Sequence, residues 1–209
     1  MNDPYATPHL SQPESGVPVL EPKSLKVFGI LHIIFAILGI LSVLVMAVFI
    51  FAVGPLFDWL AKETGSADPE AAEMMSMMGD LYQSQIPYYI GSTLVTAVLV
   101  VFLLRAGIAL VKKRSQAARL SNLWAWLTIA FVVINLPISI FYTFPAQREM
   151  QAELESSMGG ASTGTESLEQ AIEIGSLVLG FVASLVYPIL ALYFLKRKKV
   201  TDFLAQYGK

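Results

Sequence analysis

Three groups of side chains in this sequence have the type and spacing to do chemistry. The first is "EMMSMM", where Met74 and Met78 stand one helical turn apart with Met75 beside them. Thioether sulfur is a soft ligand that suits Cu(I), which makes Met74, Met75 and Met78 candidate metal ligands. The chain has no cysteine, and neither of its two histidines lies nearby, so the same surface has a second reading. Flexible thioethers fill irregular gaps and suit adaptable contacts, and Met74, Met78, Leu81 and Tyr82 are then docking residues for a partner protein.

The second group is His32, an imidazole in an apolar run. It could carry a proton or hold a ligand, or it could hydrogen-bond a neighbouring helix and set register. The third is Arg105 in "VFLLRAGIALVKKR", one cation about two turns before the cluster Lys112, Lys113 and Arg114. An arginine at that depth is either a functional charge or a long side chain reaching the headgroups. No catalytic constellation accompanies these groups. There is no Walker loop, no HExxH, no usefully spaced Ser/His pair and no carboxylate within the apolar blocks, so the expectation is a non-enzyme without cofactor.

The elements that must position these residues are transmembrane helices. Of 209 residues 55% are hydrophobic and 14% charged, against about one quarter charged in ordinary soluble domains. The apolar excess falls in four blocks of about 20 or more residues, enough to cross a hydrocarbon core of about 30 Å at about 1.5 Å per residue. Lipid offers no partner to an unpaired backbone group, which requires helices or a closed barrel. The short alternating segments of a barrel are missing. The fold class is therefore an all-α integral membrane protein, a four-transmembrane-helix bundle with short amphipathic helices in two outer loops. The helices fall at about 26–53, 87–112, 121–144 and 173–196, within a membrane domain spanning 24–200. The outer loops are 54–86 and 145–172, and a tail of 201–209 follows. The first block is too long for a signal-peptide core and reads as a retained helix. Residues 1–23 hold Pro4, Pro8, Pro13, Pro18 and Pro22 and read as a polyproline-leaning disordered tail.

Charge sets the threading. Lys23 and Lys26 precede the first helix, Lys112, Lys113, Arg114 and Arg119 fill the second link, and Lys196, Arg197, Lys198 and Lys199 follow the fourth helix. Basic flanks stay in the cytoplasm, so both termini and the second link are cytoplasmic and the acidic connections lie outside. Arg105, Lys112, Lys113, Arg114, Lys196, Arg197 and Lys198 would then face anionic headgroups of the inner leaflet. The missing cysteines and N-glycosylation sequons lean toward a bacterial inner (plasma) membrane. The partners are the lipid bilayer and a membrane protein or a second copy; nucleic acid is not expected at a net charge of −2.

Sorting residues at about 100° per step gives each helix an interior stripe. These are Gly29, His32, Ala36 and Gly39; Ser92, Thr96, Leu103 and Gly107; Ser121, Trp124, Thr128 and Asn135; and Ser176, Gly180, Ser184, Tyr187 and Ala191. Arg105 falls on the opposite, lipid-facing side of its helix. Counting from the helix ends puts His32, Thr128 and Tyr187 in one polar layer, and Ser42, Thr96, Asn135 and Gly180 in another. The segment "DPEAAEMMSMMGDLYQSQ" reads as a helix capped by Asp68 with Pro69 in its first position. "AQREMQAELESSM" is a weaker echo, and Ser167 with Gln170 resembles a capping box. "IGS" at Ile90 and again at Ile174, each followed by a basic stop, marks two out-and-back hairpins. The layout is similar to that of several tetraspan membrane-protein groups, a resemblance of topology. The functional expectation is an interaction, scaffold or accessory subunit; the alternative is a small transporter or channel subunit working as an oligomer.

Overall fold

The computed structural model describes residues 21–65, 68–145, 148 and 166–208. Every regular element among them is helical: α1 (Lys23–Thr64), α2 (Pro69–Val111), α3 (Ala117–Ile138), α4 (Glu166–Leu195) and α5 (Lys198–Tyr207). The first four are long and apolar enough to cross a membrane. Little of their apolar surface is covered by protein: Ile30, Ile37, Leu41 and Val48 of α1, and Val98 and Val101 of α2, are exposed, as side chains facing lipid are.

The first outer loop is different from the expectation. Among the described residues there is no free-standing amphipathic helix between 54 and 86. α1 runs through Gly54 and Pro55 to Thr64, and α2 starts at Pro69 and runs through Gly79 and Pro87 into its apolar half. A proline removes one backbone hydrogen bond, a loss that tertiary packing can outweigh. Here the C-terminal part of α1 and the N-terminal part of α2 pack on each other, with Gly79 against Phe57. The start of α2 is capped as its sequence predicts, the Ala71 amide donating to the Asp68 carboxylate at 3.1 Å. At 42 and 43 residues, each helix is about 63 Å long, twice the hydrocarbon thickness. Of the second expected outer loop, residues 146–147 and 149–165, with the weaker amphipathic segment around Met150–Met158, lie outside the described residues, as do the side chains of the Ser167/Gln170 capping box. Its last residues, from Glu166, are already helical, so α4 begins earlier than 173.

α3 ends at Pro137. The chain continues through a π-helical turn, Ser139–Thr143, in which the Phe144 amide donates to the Ser139 carbonyl. A register slip of this kind follows naturally from a proline that withholds its hydrogen bond. The link between α2 and α3 closes with two bonds, Arg114 N–H to the Ala109 carbonyl at 2.9 Å and Lys113 N–H to the Leu110 carbonyl at 3.1 Å. This paired pattern places Lys113 where glycine is usual, at φ 53°.

α1 packs along α2, α3 packs against both α2 and α4, and α1 meets α4 only briefly. The buried core gathers at the basic end: Leu25, Phe28 and Ala36 of α1, Leu103, Ala109 and Leu110 of α2, Trp124 and Ala125 of α3, Ala191 and Leu195 of α4. Where a sequence reading saw a tail, α5 is an amphipathic helix. Its Val200, Phe203 and Leu204 are buried at i, i+3, i+4 spacing in the same core, and the helix reaches α3.

Candidate functional site

His32 is where the four long helices meet. It is fully buried. One ring nitrogen, Nε2, lies 2.7 Å from the Ser121 hydroxyl of α3, and the other, Nδ1, lies 2.5 Å from the Tyr187 hydroxyl of α4. A neutral imidazole has one N–H donor and one acceptor nitrogen, and two hydroxyls satisfy both in either tautomer. From α2 comes space instead of a bond. A Cβ built on Gly107 would sit 2.9 Å from the His32 Cβ and 3.1 Å from the Gly29 carbonyl, so only glycine lets the α2 backbone approach this closely. Aromatic rings surround the imidazole: Trp124 at 5.2 Å and Tyr187 at 5.5 Å between centroids, with Phe35 against Tyr187 at 4.5 Å.

The structure brings His32 and Tyr187 together but supplies Ser121 in place of Thr128. The Thr128 hydroxyl is buried without a hydrogen-bond partner among the described residues. Counting inward from helix ends presumes that all helices begin at one depth. His32 is nine residues into α1 and Ser121 only four into α3, so α3 starts deeper and Thr128 lies about 10 Å beyond the contact. Ser121 stood on the sorted stripe, and that stripe is the signal that finds it.

The second expected layer does not assemble. Thr96 donates to its own helix, to the Ser92 carbonyl at 2.8 Å. Gly180 and Ser42 are exposed, and nothing lies within 4 Å of a Cβ built on Gly180. Asn135 instead accepts from the Tyr88 hydroxyl at 3.0 Å, which joins α3 to α2.

At the basic end the cations divide by environment. Lys113 donates to Glu21 at 2.7 Å and lies over the Phe203 ring at 5.8 Å, which ties the chain before α1 and the helix α5 to one link. The Lys113 hydrogen bond holds the Glu21 carboxyl below its ordinary range. Lys196 lies over Trp126, and Arg197 over Tyr193 and Phe194. Lys198 is exposed at the start of α5. Arg105, Lys112 and Arg114 share a single cavity of about 960 Å³ with Ser115, Gln116 and Leu120. Arg105 is exposed, outside the packing stripe of α2.

At the acidic end, Met78, Leu81 and Tyr82 line an apolar cavity of about 360 Å³ between α1 and α2, with Phe49, Leu56 and Phe57 opposite. Met74 and Met75 are half-buried on the same helix. Met78 is thus turned toward α1. Tyr82 donates to the Phe49 carbonyl at 3.0 Å, and Tyr89 donates to the buried Gln85 at 2.8 Å. The sequence reading had not singled out Gln85.

These contacts describe a protein of four membrane-length helices held by one histidine knot, with a basic cavity at one end and an apolar one toward the other. The chain matches no family model, no curated protein and no solved structure.

Proposed function

We propose that this is a non-enzymatic multi-pass protein of a bacterial plasma membrane, with both termini cytoplasmic. It acts as an interaction or accessory subunit, and its partner is another membrane protein or a second copy. The observation that carries the reading is the length of the α1–α2 hairpin. Each helix is about twice as long as the hydrocarbon is thick, so roughly half of each projects from the bilayer. Asp58, Lys62, Glu63, Glu73 and Asp80 keep that half in water. It nevertheless exposes Trp59 and Leu56, at 58% and 50%, beside the apolar cavity at its base. Exposed aromatic and aliphatic anchors bordered by charge are what a contact surface offers.

The amino-acid sequence supports the orientation through its basic links and acidic hairpin. The buried His32, with both ring nitrogens engaged, favours a structural knot over a proton path. The test is recovery from native membranes after crosslinking of the full chain. A discrete partner, or a dimer, should be recovered with the wild type and lost in the Trp59→Ser, Leu56→Ser double variant, whose surface changes leave helicity intact. Equal recovery from both would overturn the hairpin as the contact. Solute flux in liposomes that depends on His32 would replace the reading with transport.

A further inference from the structure

We propose that the basic end of α2 and the start of α3 form a binding site for one anionic phospholipid. Arg105, Lys112 and Arg114 hold its phosphate, and its acyl chain lies along Val98 and Val101. The proposal needs only that these helices sit in a bilayer. It is independent of the hairpin reading and of which compartment the basic end faces.

Arg105 is the one charge between Ile90 and Val111. It lies on the exposed side of α2, about 9 Å from the end of the helix. A cation at that depth needs a counter-charge, water or a route to the surface. Among the described residues, Arg105, Lys112 and Arg114 have no carboxylate within ion-pair distance; Lys113 takes the one at Glu21. The three converge on the 960 Å³ cavity, which also contains Ser115 and Gln116. Gln116 is the N-cap of α3 and makes no side-chain cap bond, so the positive end of a 22-residue helix also faces this region. Guanidinium groups form charge-assisted, often bidentate bonds with phosphate oxygens.

Charge alone would equally suit a free phosphate. The lipid is chosen because Arg105 also closes a second, apolar groove of about 310 Å³ lined by Ala97, Val98, Val101 and Phe102. Val98, Val101, Arg105, Ile108 and Lys112 recur at i, i+3, i+7 spacing and so form one stripe along α2. The stripe runs about 21 Å, apolar over its first half and cationic over its second. An amphiphile lying parallel to the helix, with tail toward the bilayer centre and phosphate toward the surface, has the same order. α2 therefore presents Arg105 at the junction of headgroup and chain.

The test uses the full chain in mild detergent, with an equimolar mixture of phosphatidylglycerol and phosphatidylcholine, and bound lipid counted by native mass spectrometry. One phosphatidylglycerol should be retained in preference to phosphatidylcholine. Arg105→Gln should lower retention about fivefold or more, the scale set by one basic residue at a charged surface, while Arg105→Lys should keep most of it. Val101→Trp fills the groove without changing charge and should also release the lipid. Lys198→Gln with Lys199→Gln removes two cations outside the cavity and should have no effect. Elution as a single folded species is required of each variant. Equal retention of the two lipids would overturn the proposal, as would equal loss from Lys198→Gln/Lys199→Gln and Arg105→Gln. Displacement of the lipid by millimolar inorganic phosphate or glycerol 3-phosphate would also overturn it, in favour of a soluble phosphate site.

Discussion

Truncating His32 tests whether one side chain knots the bundle. Alanine at position 32 removes a fully buried ring that packs on Trp124 and Tyr187 at 5.2 and 5.5 Å. The lost packing and residual cavity should cost about 2–3 kcal/mol, the lower range of large-to-small core changes. The change also strands the Ser121 and Tyr187 hydroxyls. Interhelical hydrogen bonds in membrane proteins contribute about 0.6 kcal/mol each on average and up to about 1.7. The expected destabilisation is therefore about 3–6 kcal/mol, a large share of the about 5–15 kcal/mol typical of a folded domain. Reversible unfolding in mixed micelles, followed by tryptophan fluorescence, measures it, with Trp124 beside the lost ring as a local reporter. A double-mutant cycle of His32→Ala with Tyr187→Phe isolates the bond from the packing and should return a coupling of at least about 0.6 kcal/mol. His32→Gln should recover part of the loss, because it keeps one donor and one acceptor. A destabilisation below about 1 kcal/mol, or a coupling of zero, would refute the knot and leave His32 free for another role.

Other expectations follow from the same geometry. Gly107→Ala should destabilise by about 1–3 kcal/mol in the same assay, since the new Cβ would meet the His32 Cβ at 2.9 Å. Gly180→Ala, with nothing within 4 Å, should be neutral or slightly stabilising. Lys113→Gly should be more stable than Lys113→Ala by about 1 kcal/mol, because both lose the Glu21 pair and only glycine relieves the backbone at φ 53°. Glu21 has its folded value depressed by Lys113, so its contribution is complete above the ordinary carboxylate value of 4.5 and disappears as pH falls through the lower folded value. The difference in thermal midpoint between wild type and Glu21→Gln should accordingly close as pH is lowered from 7 to 3. The chain has no cysteine, so single replacements report threading cleanly. Thr64→Cys should react with an impermeant thiol reagent applied outside intact cells, and Ser115→Cys only after the membrane is opened; the reverse pattern would invert the proposed orientation.

What could be read from the sequence divides by the range of the physics involved. Membrane-length helices are legible because each must satisfy its own backbone in lipid, a requirement met within one segment. The Asp68–Pro69 start of α2 is legible for the same reason, as its cap lies three residues from the amide it serves. Sorting by face also joined His32 to Tyr187, 155 residues apart, since each helix can hide only one stripe. Failures begin where one segment's fate depends on another. Gly54–Pro55 looks like an exit, yet α1 continues, because the beginning of α2 offers its apolar side to pack on. Thr128 was chosen over Ser121 because faces can be counted from residues but relative depth cannot; depth is fixed by where each helix starts. α5 went unseen for a related reason. Ten residues are too few for a stable isolated helix, and the basic run before it reads as the end of a span. It exists because Val200, Phe203 and Leu204 find a core built by helices far earlier in the chain. The basic cavity belongs to this second category. Arg105 and Lys112 share a stripe that any helical count reveals, but Arg114 joins them only because the chain turns at Lys113, at a left-handed position usually occupied by glycine.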